Sequence, residues 1–214
     1  MRPMKMKSRH NQRDVSLPRV SSRSGSGSVR IIAGMWRRTP LTVSDAMGLR
    51  PTGDRIRETL FNWLTFFYGD FTNLSALDMF AGSGALGFEF ASRGGQRAVM
   101  FEKNITAHAL LKATQEKLNA NQIELIRGDV LSLLTNQDEH FDIIFIDPPF
   151  ALNYHEKAIK IALSHLKANG VIYIESPNEW DCYELFEQLH LEVVREGHSG
   201  AVAYRLVKIK DLDL

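Results

Sequence analysis

The stretch Asp147-Pro148-Pro149-Phe150 stands directly behind the apolar run Phe141-Asp142-Ile143-Ile144-Phe145-Ile146. Two consecutive prolines remove two backbone N–H donors and fix two φ angles at about −65°. They also hold the residues before them extended. What remains is a stiff loop with acceptors and few donors, an acid at its start and a flat ring at its end. Such a loop suits a planar ligand that offers N–H groups, as the exocyclic amine of a nucleobase does. Read alone, the same four residues are equally a strand end followed by a Pro-rich turn, so other positions must decide.

A second group of such residues is Leu77-Asp78-Met79-Phe80-Ala81-Gly82-Ser83-Gly84-Ala85-Leu86-Gly87. Glycines at 82, 84 and 87 let the backbone turn sharply and let a ligand approach where a Cβ would clash. This spacing fits NAD, FAD or S-adenosylmethionine. Asp78, four residues before the first glycine, is placed to reach the ammonium of a zwitterionic ligand. A dinucleotide site instead needs helix N–H groups for its pyrophosphate. The other reading of Asp78 is an acid that caps the helix or braces the loop. Glu102 follows 15 residues after Gly87, where a carboxylate can accept from both ribose hydroxyls in either kind of cofactor. Asp129, in Gly128-Asp129-Val130, is an acceptor for an adenine amine or a plain N-cap.

The elements that must position these residues alternate. Strand patterns cover Leu74–Phe80, Arg97–Glu102, Ile123–Arg127, Phe141–Asp147 and Gly170–Ser176. Between them lie helical patterns at Gly84–Arg93, Asn104–Asn119, near Leu131, and at Tyr154–Leu166. A helix at Trp180–Leu189 precedes strands Leu191–Glu196 and Val202–Ile209, joined by the turn-like Gly197-His198-Ser199-Gly200. Alternation with short connections predicts an α/β fold, a doubly wound, mostly parallel seven-stranded sheet with a terminal antiparallel hairpin. Gly82/Gly84, Glu102, Asp129 and Asp147 then follow successive strands, on the edge where open α/β sheets bind ligands. Upstream, Val29–Ile32 and Leu41–Val43 read as a small hairpin around Gly34-Met35-Trp36-Arg37-Arg38. Asp54–Tyr68 reads as a helix, with Ile56, Leu60, Phe61, Leu64 and Phe67 on one face. The expected division is a basic disordered arm at 1–28, a hairpin-and-helix extension at 29–70, and the main domain at 71–214.

The 214 residues, 44% hydrophobic and 24% charged, are ordinary for a globular protein. No apolar run is long enough to span a bilayer, and one cysteine, Cys182, excludes an internal disulfide framework or a cysteine metal cluster. A cytoplasmic protein without metal or membrane partner is expected. The net charge of +1 hides an asymmetry: residues 1–38 carry ten Lys and Arg against the single acid Asp14, leaving the remainder at −8. A basic arm on an acidic body is the layout of a nucleic-acid partner, and Ser21–Ser28 is also linker-like in composition.

The array Asp78…Gly82-x-Gly84, Glu102, Gly128-Asp129 and Asp147-Pro148-Pro149-Phe150 resembles class I S-adenosylmethionine-dependent methyltransferases that act on exocyclic amines. More narrowly, Arg30-Ile31-Ile32-Ala33-Gly34 and Leu49-Arg50-Pro51-Thr52-x-Asp54-Arg55-x-Arg57-Glu58-Thr59-Leu60-Phe61-Asn62 resemble the bacterial 16S ribosomal RNA (guanine-N2)-methyltransferase family. Phe80 to Gly87 and Val202-Ala203-Tyr204-Arg205-Leu206 are similar to that family as well, so the resemblance runs from about residue 29 to 207. One departure is Gly34-Met35-Trp36-Arg37-Arg38, where the family usually has Gly-Gln-Trp-Arg-Gly; the other is the length of the basic arm. The resemblance implies methylation of the 2-amino group of one guanine in 16S ribosomal RNA, in a 30S subunit or assembly intermediate, by a monomer. It implies that Asp147, Pro148, Pro149 and Phe150 form the acceptor site, with Phe150 stacked on an extruded base. Asp78, Phe80, Gly82, Gly84, Glu102 and Asp129 would hold S-adenosylmethionine. Arg37, Arg50, Thr52 and Arg55, with Arg57, would clamp RNA phosphate or brace the cofactor, and Arg205 would contact RNA. Other readings are methylation of another RNA or DNA base, a nicotinamide dehydrogenase, or an RNA-binding assembly factor without catalysis. A DNA adenine methyltransferase would need a recognition domain for which this length leaves no room, and a dehydrogenase gives Asp147-Pro148-Pro149-Phe150 no task.

Overall fold

The computed structural model describes residues 29–43, 53–134 and 138–211; the expected arm at 1–28 and the positions Arg50, Pro51 and Thr52 lie outside them. Seven strands form one sheet: β1 (Ser75–Asp78), β2 (Arg97–Glu102), β3 (Ile123–Arg127), β4 (Phe141–Ile146), β5 (Leu166–Pro177), β6 (Leu191–Ser199) and β7 (Val202–Ile209). Their order is β3-β2-β1-β4-β5-β7-β6. The first five are mutually parallel, and β7 lies antiparallel between β5 and β6. The sequence is consistent with this arrangement. In β4, Ile143 and Phe145 face one apolar cluster while Ile144 and Ile146 face the other. A strand covered on both faces reads as a continuous apolar run.

Among the described residues six α-helices cover the faces: α1 (Asp54–Tyr68), α2 (Ala85–Ser92), α3 (Ile105–Leu118), α4 (Val130–Leu133), α5 (His155–Ser164) and α6 (Tyr183–Gln188). Leu60 and Phe61 of α1, Phe88 of α2 and Leu111 of α3 share one cluster with Phe145 and Tyr173. Val130 of α4, Ile159 of α5 and Phe186 of α6 share the second with Ile144 and Ile172. The expected apolar face of α1 is buried at Ile56, Leu60, Phe61 and Leu64, whereas Phe67 is 37% exposed. β1 and β4, adjacent in the sheet, mark the point where the strand order reverses, so the crevice opens at their carboxyl ends.

Two expectations need correction. The hairpin at 29–43 is not a pair of strands but a single antiparallel bridge, Arg30 to Pro40. Pro40 has no N–H to extend the ladder, and the neighbouring donors go elsewhere. Ile32 and Ala33 donate to the two carboxylate oxygens of Glu89 at 2.6 and 3.0 Å, and Met35 and Trp36 donate to the Ser92 carbonyl and Oγ. This segment is thus docked on α2, and Val29, Ile31 and Leu41 join the α1–α2 core. Gly34 has φ +81°, and a Cβ there would lie 1.8 Å from the Ser92 carbonyl oxygen. The second correction concerns β6, which runs through Gly197 and His198 to Ser199, so the turn to β7 is only Gly200-Ala201.

Candidate active site

Two cavities meet at the carboxyl ends of β1 and β4. The smaller, about 130 Å³, is lined by Phe80, Gly82, Glu102, Asp129, Pro149 and Tyr154 among others. The larger, about 520 Å³, is lined by Asp78, Ser83, Pro148, Phe150, Glu175 and Gly200 among others. Phe80, Gly82, Asp147 and Pro149 line both. A ligand seated in one cavity can therefore present a group to the other at a junction walled by these four residues. The sheet brings together Asp78, Phe80, Gly82, Glu102, Asp129 and Asp147 to Phe150, which are far apart in sequence.

The smaller cavity has the chemistry of an adenosine site. The Phe80 and Tyr154 rings lie 6.4 Å apart at 19°, giving flat apolar walls. Glu102 ends β2 and is 8% exposed. Its oxygens accept from Gly82 N–H at 2.8 Å and Asn104 N–H at 2.6 Å. A carboxylate has about four lone-pair sites, so this pinned group still has capacity for a pair of hydroxyls. Asp129 caps α4 through Leu131 N–H at 3.1 Å and pairs with Lys103 Nζ at 3.0 Å. Partial burial raises its pKa, but the Lys103 bond and charge and the Leu131 bond outweigh this and leave it below the usual carboxylate range. Asp129 is thus the N-cap of α4 and also lines the cavity.

Asp78 likewise braces a helix and lines a cavity. Its Oδ2 accepts from Gly87 N–H at 3.2 Å in the first turn of α2, and the side chain also lines the larger cavity. Burial and the nearby Asp147 charge, with a smaller push from Glu102, raise its pKa to about 7 against the pull of backbone N–H bonds. Among the described residues no cation pairs with this carboxyl, and a bound ammonium would supply one. The residues present thus fit S-adenosylmethionine: apolar walls and Glu102 for its nucleoside, and Asp78 for its amino-acid end.

The glycines divide differently from expectation. Gly82, with φ +52°, lines both cavities. Gly84 also has positive φ, +78°, but a Cβ there would meet Phe88 and Leu111 at 2.5 and 2.6 Å. A Cβ at Gly87 would meet the Met100 Sδ at 2.5 Å. Those two glycines make room for packing of α2 against its neighbours rather than for a ligand, and Gly84 does not line either cavity.

The acceptor loop leaves β4 at Asp147, passes the buried Pro148, and forms a 3-10 turn at Phe150–Leu152. Phe150 rests 5.9 Å from the His155 ring, which itself lies 4.6 Å from the Trp180 ring. His155 Nε2 is 2.9 Å from the Glu175 carbonyl oxygen, and burial lowers its pKa. A neutral, buried imidazole thus supports Phe150 from below, a role the sequence did not single out for it.

The basic residues behave less uniformly than their grouping suggests. Arg37 and Arg55 are exposed and line neither cavity; Arg50 and Thr52 lie outside the described residues. Arg57 is fully buried, paired with Asp54 at 2.7 Å and Glu89 at 3.6 Å, so it is not a phosphate clamp. Arg205 is also buried, donating to Ser176 Oγ at 3.0 Å and pairing with Glu196 at 2.8 Å. Neither RNA contact nor loose surface charge describes it. Glu175 was missed: it is 3% exposed, accepts from Tyr173 Oη at 2.8 Å, and lines the larger cavity beside Asp147 and Phe150. Its signal was an acid ending the apolar run Val171-Ile172-Tyr173-Ile174, the same signature that marked Asp147.

Among the described residues no group of three or more His, Cys, Asp or Glu is arranged to hold a metal, and no helix is long and apolar enough to cross a membrane. The family model described as Conserved hypothetical protein 95 matches residues 29–208. The chain is 38% identical to ribosomal RNA small subunit methyltransferase D of Haemophilus influenzae, covering 89% of this chain and 98% of that one. The protein of the same name from Escherichia coli K12 is 39% identical over 86% of this chain and 91% of its own. Among solved structures, Escherichia coli yhhF superposes with a TM-score of 0.75 at 34% identity, covering 86% of this chain and 99% of that chain. A family match across most of the sequence, and relatives above 30% identity along nearly their whole length, place this chain in the ribosomal RNA small subunit methyltransferase D family.

Proposed function

We propose that this enzyme transfers a methyl group from S-adenosylmethionine to the exocyclic 2-amino group of a guanine in 16S ribosomal RNA. It acts as a cytoplasmic monomer on a 30S subunit or assembly intermediate. The observation that carries the reading is the position of Asp147-Pro148-Pro149-Phe150 at the meeting point of the two cavities, with Asp147 and Pro149 lining both. Membership of the methyltransferase D family supports the reaction and the RNA; the choice of amine rests on the acceptor-rich loop and on the resemblance.

When bound, S-adenosylmethionine supplies an electrophilic methyl on a sulfonium, which departs as a thioether. Glu102 and the Phe80–Tyr154 walls would hold its nucleoside, Asp78 would hold its ammonium, and Asp129 would accept from its adenine amine. The amine nitrogen of guanine is a poor nucleophile because its lone pair is delocalised into the ring. Asp147 and the Pro148 carbonyl accept its two N–H bonds, drawing the nitrogen toward tetrahedral geometry and aiming the lone pair at the methyl. The methylated nitrogen would then lose one proton to solvent. Asp147 orients and stabilises charge, and need not take that proton first. Such fixed electrostatics and positioning are commonly the largest contribution in sites that exclude water. Phe150, seated on His155, stacks on the base. Outside the cavities, Arg37 and Arg55 with Arg50 and Thr52 contact RNA, and the arm at 1–28 adds phosphate affinity.

The direct test is Asp147→Ala assayed for methyl transfer to small subunits from cells lacking the enzyme. We expect a loss of about 100-fold or more in kcat, with the cofactor still bound. Transfer at the wild-type rate would remove Asp147 from the chemistry and with it this reading.

A further inference from the structure

We infer that Glu175 reads the Watson–Crick edge of the target base by accepting its ring N1–H, and so selects guanine. The inference rests on the reading that the larger cavity receives the base. β4 and β5 pair in parallel with Ile146 beside Ile174. Asp147 and Glu175 are each one residue further on, so the two carboxylates are rooted side by side on strands about 4.8 Å apart. Both line the cavity that also holds Phe150. Glu175 is fixed there: its Oε1 accepts from the buried Tyr173 hydroxyl at 2.8 Å, and its own backbone carbonyl is tied to His155. Buried and anchored, it holds its oxygens in a fixed place at the cavity wall, and a carboxylate has about four lone-pair sites, more than the Tyr173 bond uses.

The edges of the bases differ in what they offer. Guanine presents two adjacent donors, the N1–H and the 2-amino group. Adenine presents an amine beside an unprotonated N1, and cytosine an amine beside an unprotonated N3. Two neighbouring carboxylates are acceptors only when ionised, so they complement a donor–donor edge and oppose a donor–acceptor one. Asp147 takes the amine and Glu175 the ring N–H. Phe150 supplies the stacking face, which every base satisfies and which therefore does not discriminate. Discrimination falls to the carboxylate that the amine does not use.

The test separates the ring N–H from the amine. Once the methylated nucleotide is mapped, small subunits are reconstituted with 16S RNA carrying guanosine or 2-aminopurine riboside at that position. 2-Aminopurine keeps the 2-amino group but has a bare N1 and no 6-oxo group, so the N1 contact is read from the change in preference that Glu175→Gln makes. Wild-type enzyme should prefer guanine by about a hundredfold or more in kcat/KM, because a site built for a donor rejects an analogue that lacks it. Glu175→Gln keeps the volume and an oxygen for Tyr173, and adds an N–H that can meet a bare N1. Its preference should collapse to within about threefold, mainly through loss of guanine turnover. Equal wild-type rates on the two bases would overturn the inference while leaving the methyltransferase reading intact, and that arm needs no variant to fold. A Glu175→Gln enzyme that unfolds at the wild-type temperature and keeps the full preference would overturn it too. Mapping the methyl to a base other than guanine would defeat the proposed function itself, and this inference with it.

Discussion

At the residue scale, the buried acids carry most of the chemistry, and Asp78 makes a quantitative prediction. Its carboxyl sits at about 7 in the folded chain against an ordinary value of 3.8. Between those values the folded chain holds a proton that the unfolded chain has lost, so the stability of the unliganded protein falls as pH rises from about 4 to 7 and is flat above. A bound ammonium favours the ionised form. Affinity for S-adenosylmethionine should therefore rise with pH, by up to about tenfold per unit below pH 7, and level off above it. Calorimetry in buffers of different ionisation enthalpy should show close to one proton released per cofactor bound at pH 6. Asp78→Asn keeps an acceptor for Gly87 N–H but has no proton to release. It should bind the cofactor more weakly at pH 8 with a flat pH profile, while the unliganded variant gains on the order of 2 kcal/mol there from loss of the buried charge. An unchanged pH dependence in Asp78→Asn would assign the titration to another group.

At the element scale, the sheet was legible because the central strands β2, β4 and β5 carry unbroken apolar runs at Ala98–Phe101, Ile143–Ile146 and Val171–Ile174 and the helices follow within a few residues. The acids that end β1, β2 and β4 could be placed from that order alone. What was not legible depends on partners distant in sequence. Arg57 and Glu89 are 32 positions apart, yet Glu89 gathers Arg57, Arg93 and two backbone amides of the N-terminal segment into one buried knot. No local pattern distinguishes such an arginine from one at a surface. The N-terminal segment was misread for the same reason, since the amides of Ile32, Ala33, Met35 and Trp36 are satisfied by α2, while those of Ile31, Arg38 and Leu41 bond across the turn. The turn in that segment also explains where this chain departs from its family. Arg38 has φ +70°, a left-handed conformation that costs an L-residue about 1 kcal/mol and glycine little. The family's usual glycine at this position is the unstrained choice. Two neighbouring substitutions should then act in opposite directions. Arg38→Gly should stabilise by about 0.5–1 kcal/mol, whereas Gly34→Ala drives a Cβ into the Ser92 carbonyl and should cost about 2–3 kcal/mol. Denaturant unfolding measures the first. Hydrogen exchange at Ile31, Arg38 and Leu41, whose amides close the turn, should report the second as local loss of protection. A Gly34→Ala protein with full protection there would mean that the segment docks without the close approach to α2.

At the scale of the whole molecule, charge is distributed against the site. Residues 1–38 hold +9 and the rest −8, and the cavities themselves gather Asp78, Asp147 and Glu175. A polyanion is thus repelled by the chemistry it must reach unless something else holds it. The arm is the richest source of positive charge, with seven Lys and Arg in residues 1–28 against Asp14. Phosphate contacts supply affinity without choosing sequence, while the pocket selects the base. Deleting residues 1–28 should therefore separate the two functions. Binding to RNA should weaken most at low salt, and the slope of log affinity against log salt should flatten by about 0.7–0.9 for each phosphate the arm neutralises. The mapped methylation site should not move, and at saturating substrate kcat should stay within about twofold, because no residue of the cavities is removed. Filter binding across a salt series, with methyl mapping of the product, reads both. A truncated chain with an unchanged salt slope would assign RNA capture to the folded body, with exposed Arg37 and Arg55 the first positions to substitute. A truncated chain that methylates a different nucleotide would instead make the arm part of site selection, and would move specificity out of the pocket.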